Sequence, residues 1–124
     1  MFGIFGRSQE LLSLDRAFRA AGLNPRGVPE AVKLTTLKRL KEASPGRTPD
    51  PLAFAAAVKL LAYCVLGREV FTQSNGADQT GSVEERLVYA LETGYGLDAR
   101  LVLLTLHARM IHASVVERYT LTAE

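Results

Sequence analysis

Apolar residues recur at helical spacing along most of this 124-residue chain, and nowhere do they alternate like a strand for more than a few residues. The clearest case runs from Leu97 to Tyr119. Wound at about 100° per residue, Leu97, Leu101, Leu104, Ala108, Ile111, Val115 and Tyr119 form one stripe. Val102, Leu103, Leu106, Met110 and Ala113 form a second stripe on roughly the opposite side. Polar seams separate them, one of Arg100, His107, Ser114 and Arg118, the other of Thr105, Arg109 and His112. The pattern predicts one long helix over about 98–119, capped by Asp98. A helix covering the edge of a globule needs one apolar stripe, so two stripes point to a sandwiched position or a shared partner.

Shorter stripes precede it. Leu11, Leu14, Phe18 and Ala21 predict a helix starting near Ser8 or Gln9 and stopping before Gly22, a natural C-cap. Pro25 and Gly27 break the chain before a second helix, with Pro29 and Glu30 in its first turn and Val32, Leu37 and Leu40 inside. Asp50 followed by Pro51 then opens a third helix, over about 51–66. Phe54, Val58, Leu61 and Val65 form its bulky face, Ala53, Ala57, Leu60 and Cys64 flank them, and Lys59 and Tyr63 lie opposite. So apolar a circumference belongs at the centre of a core, with a bend or separate turn reaching Phe71 beyond Gly67. Residues 73–81 are the longest polar stretch and read as a loop. Ser82 and Glu85 form a capping box for a fourth helix, carrying Val83, Leu87, Ala90 and Leu91 and stopping at Gly94.

Composition agrees with this pattern. Hydrophobic residues make up 48% and charged ones 23%, which argues against wholesale disorder, and the length suits one domain over residues 1–124. Aromatics are 7% and Trp is absent, favouring helix over sheet. The expected fold is therefore an all-α bundle of four to five helices. The net charge of +2 is uneven: residues 1–50 hold nine Lys or Arg against five acids, and residues 51–124 hold six against eight. Eleven Arg against four Lys fits a GC-rich bacterial genome. A single cysteine, Cys64, excludes an internal disulfide and points to a cytoplasmic setting. No leader is expected, because the apolar run of Phe2, Ile4 and Phe5 is short and its positive charge, Arg7, follows it. Residues 1–7 read as a flexible end, and membrane contact is not expected of so short a segment.

Candidate chemistry is sparse. His107 and His112 sit about 140° apart on the predicted helix, so they do not share a metal as i, i+4 pairs do, and no metal or cofactor is expected. Cys64 is flanked at helical spacing by Leu60, Leu61, Gly67 and Arg68, a setting that keeps it a thiol. Glu84 and Glu85 suit a helix start rather than acid–base work, and the loop around Asp78 has neither calcium-ligand spacing nor a phosphate-binding lysine. Residues 17–23 followed by a basic helix loosely fit a helix-turn-helix. Pro25, Gly27 and Pro29 fall where a recognition helix should begin, which leaves nucleic-acid binding through the basic 16–47 region as the alternative reading. No catalytic constellation is visible. The leading expectation is a non-enzymatic, self-associating interaction or regulatory module, a homodimer. Arg100, His107, Ser114 and Arg118 are its candidate anion or partner site, and Leu103, Leu106 and Met110 its candidate interface.

Overall fold

In a computed structural model, residues 8–46 and 49–122 are described, and they are all-helical, without strands. Seven α-helices are found among them: α1 (Gln9–Ala20), α2 (Glu30–Ala43), α3 (Pro51–Leu66), α4 (Arg68–Asn75), α5 (Ala77–Thr93), α6 (Leu97–His107) and α7 (Ala113–Tyr119), with a 3-10 turn at Pro25–Gly27. The expected flexible segment 1–7 lies outside the described residues.

The third helix is the axis of the molecule. Asp50 Oδ1 accepts from Ala53 N at 2.9 Å and Pro51 follows it, so α3 starts where the cap signal places it. Five consecutive residues, Leu60 to Cys64, are fully or almost fully buried, so the helix is enclosed on all sides at that level, while Leu52, 80% exposed, and Ala56 face water nearer its start. The other helices form a ring around it. The order is α1, α2, α6, α5, α4, each packed on the next, and Asn75 Nδ2 at the end of α4 donates to Ala21 O at 2.9 Å to tie it to the end of α1. Between α1 and α2, Lys33 is buried and pairs with Asp15 at 2.9 Å, a charged contact set into the apolar layer of Leu14, Phe18, Val32 and Leu37.

Two expectations are corrected, and with them the count of four to five helices. The polar stretch 73–81 is helical on both sides of Gly76; Asn75, Gln79 and Thr80 bond to other segments, and Gln73, Ser74 and Asp78 form its water-facing side. Thr72 and Thr80 share a hydroxyl hydrogen bond of 2.7 Å across the break, and Asn75 reaches α1. The fourth predicted helix therefore opens at Ala77, with Ser82 and Glu85 exposed on its surface instead of capping it.

The long C-terminal helix is two helices. It stops at His107 in a Schellman motif: Met110 N donates to Thr105 O at 2.9 Å and Arg109 N to Leu106 O at 3.1 Å, with Arg109 in the left-handed region at φ +59°. His112 N then donates to Cys64 O at 2.7 Å. That carbonyl is open because Gly67 ends α3 at φ +87°, and a Cβ there would sit 3.1 Å from the His112 ring and the Ser114 hydroxyl. The chain thus doubles back onto the end of α3. Despite the break, the first stripe faces inward: Leu101 and Val115 are buried, and Leu97, Leu104, Ala108, Ile111 and Tyr119 pack against the core. The second stripe divides. Val102 and Met110 join the core while Leu103 stays 45% exposed. Thr105, from a predicted polar seam, is fully buried, and its hydroxyl donates to Val102 O at 2.7 Å.

Candidate functional site

Because α6 lies between α2 and α5, its outward face borders a cleft on the α2 side. Thr35 and Arg39, one turn apart on α2, form one wall; Arg100, Leu103, Leu104 and His107, at spacings of three, four and seven on α6, form the other. The cleft holds about 470 Å³ and opens to solvent. At one end Glu42 Oε1 accepts from Arg39 Nη1 at 2.8 Å and Arg100 Nη1 at 3.1 Å, so one carboxylate serves two guanidinium groups. The hydrogen bond from Arg39 holds the Glu42 carboxyl below the usual carboxylate range, and the charges of Arg39, Arg100 and Lys38 act in the same direction. Positive charge exceeds negative here, and guanidinium groups keep donors for a further carboxylate or other anion. Leu103, beside them, offers apolar surface that a partner would remove from water. This is the chemistry of recognition: fixed cationic donors around an apolar centre.

The structure splits the predicted seam. Arg100 and His107 meet in the cleft, joined by Thr35, Arg39 and Glu42 from a helix more than fifty residues away in sequence. Ser114 and Arg118 lie beyond the break. Ser114 N donates to His112 Nδ1 at 3.1 Å and its hydroxyl lies 2.8 Å from the same nitrogen, so the pair caps α7. Arg118 leans toward Glu84 at 3.8 Å and over the Tyr119 ring at 5.7 Å. Of the predicted interface, Leu103 lines the cleft and Leu106 is half-buried. Met110 is partly buried and packs inward beside Phe18, Leu23, Val28 and Leu61.

A second polar constellation was not read from the sequence. Tyr63, fully buried in α3, donates to Glu84 Oε2 at 2.7 Å and lies 3.2 Å from the Tyr119 hydroxyl; Arg68 Nε donates to the same Glu84 oxygen at 2.9 Å. Burial first, then the hydrogen bonds to Tyr119 and Glu84, push the Tyr63 phenol well above its ordinary range. The group joins α3, α4, α5 and α7 and acts as a clasp. Its sequence signal is a single one, a hydroxyl-bearing side chain in the middle of the most apolar helix. Nearby, burial pushes the Cys64 thiol up to about 12, against a weaker lowering by a hydrogen bond with Thr105, and such a thiol is a poor nucleophile.

The basic region 16–47 contributes less free charge than its composition implies. Lys33 is buried on Asp15, Lys41 pairs with Glu10 at 2.9 Å, and Arg39 with Glu42. Among the described residues no group of three His, Cys, Asp or Glu side chains gathers, and no helix is long and apolar enough to cross a membrane. No protein-family model, no curated protein and no solved structure matches the chain.

Proposed function

We propose that this chain is a non-enzymatic interaction module that associates with itself through the α2–α6 cleft, as a dimer in the cytoplasm. The observation that carries the reading is Leu103, a large apolar side chain left 45% exposed in a concave site and bordered by Arg39, Arg100 and His107. An apolar centre ringed by arginine is the composition of interface hot spots, whereas an isolated surface leucine is commonplace. The predicted second stripe supports the reading in reduced form, since Leu103 is the large side chain of it that still faces outward. A lone buried thiol, Cys64, suits a reducing compartment.

Sedimentation equilibrium from low to high micromolar concentration tests the proposal. A mass rising from one chain to two is expected, with Leu103→Ser moving the transition to higher concentration. A single-chain mass at every concentration, with no partner recovered from the source cells, overturns it.

A further inference from the structure

Resting on that reading, we infer that the cleft receives the outer face of α5 from a second copy of this chain. On α5, Glu85, Val88, Tyr89 and Glu92 stand at spacings of three, four and seven, all on the side turned away from the buried Leu87 and Ala90. Val88 is 42% exposed and Tyr89 69%, so the apolar middle of this stripe is in water. A carboxylate stands at each end of it. Neither Glu85 nor Glu92 forms an ion pair with any described residue.

The cleft presents the same period with hydrogen-bond donors in place of carboxylates, cationic at the arginine end. Arg100 and His107 stand seven residues apart with Leu103 between them, and Arg39 adds a second cation opposite Arg100. Seven residues span about 10.5 Å of helix, so when the two faces meet one carboxylate falls opposite Arg100 and Arg39 and the other opposite the His107 ring, which can donate a hydrogen bond to it. Leu103 then covers Val88 and Tyr89. The same logic holds at the level of whole helices: α5 carries four acids against one base, Arg86, which already forks to Asp98 at 2.8 Å, while α2 carries four bases against two acids. Like faces would repel, and unlike faces attract. Each chain owns one face of each kind, and the inferred pair is two-fold, with the contact made twice so that it closes.

Complementation between two full-length variants tests this. The cleft variant carries Arg100→Glu and Leu103→Ser; the α5 variant carries Glu85→Arg and Tyr89→Ser. All four positions are exposed, and circular dichroism of each variant confirms its fold. Each variant alone is expected to dimerise at least about tenfold more weakly than the native chain. An equimolar mixture, read by native mass spectrometry with one chain isotope-labelled, should form mixed pairs at least about tenfold more tightly than either variant pairs with itself. A mixture no better than its components overturns the inference, as does undiminished dimerisation of the α5 variant; in both cases a dimeric native chain still supports self-association through another surface. A native chain that remains single at all concentrations removes both.

Discussion

The ends of α1 and α6 are built on one plan and encoded in different ways. After α1, Leu23 N donates to Phe18 O at 2.9 Å and Gly22 N to Arg19 O at 3.0 Å, with Gly22 at φ +89°. After α6, the bonds from Met110 to Thr105 and from Arg109 to Leu106 repeat that pattern, but the left-handed position is held by arginine. In both, the residue after the turn drops into the same part of the core, Leu23 and Met110 lying beside Phe18 and Val28. Glycine makes the first stop almost free of strain. At Arg109 an ordinary side chain is forced into a region that costs about 1–2 kcal/mol, so the stop is imposed from outside the segment, by Met110 packing inward and by His112 bonding to Cys64. A helix end can therefore be local in one place and tertiary in another with identical geometry.

Substitutions at the two turns separate those causes. The largest effect is expected from Gly22→Ala: the left-handed strain adds to a collision of the new Cβ with the Ser74 side chain, for a loss of about 2–4 kcal/mol in urea unfolding. A change below about 1 kcal/mol would show that glycine is dispensable there. Next come the anchors. Leu23→Ala should cost about 2–3 kcal/mol and Met110→Ala about 1–2, less because Met110 is only partly buried; equal losses at both would deny the difference in burial. Arg109→Gly should stabilise the chain by about 0.5–1 kcal/mol, since relief of strain exceeds the added freedom of the unfolded state. A lower urea midpoint for that variant sinks the idea that arginine is strained. The smallest effect belongs to a third copy of the motif, at the end of α7, where Thr120 sits at φ +53°. Thr120→Gly should alter stability by no more than a few tenths of a kcal/mol while raising hydrogen-exchange protection at Leu121, whose N–H donates to Val116 O at 3.0 Å.

What could be read in advance divides along the same line. Ser8, whose hydroxyl accepts from Leu11 N at 3.1 Å, Asp50, Gly22 and Gly94 act within a few residues of themselves, and the ends they mark were legible. So was the central place of α3, because apolar residues cover most of its circumference. The break after His107 was not, since the segment contains neither proline nor glycine. Nor was the helical state of residues 73–81, where Asn75, Gln79 and Thr80 find partners on other segments. In the cleft, Arg100 and His107 were visible as a seam of one helix, but the wall supplied by Thr35, Arg39 and Glu42 exists only once α2 and α6 have packed. The Tyr63, Glu84 and Tyr119 clasp draws on three distant segments with no shared period.

The ring around α3 also fixes the order in which the chain can fold as it is made. When α3 leaves the ribosome only α1 and α2 have preceded it; the flanks owed to α4, α5 and α6 are still unmade. Its largely apolar surface therefore waits, on a growing polypeptide, for a helix that begins about thirty residues after its own end. Burial of α3 depends on these non-local contacts, so folding is expected to complete late in synthesis, and nascent chains stalled before α6 should be clients for chaperones.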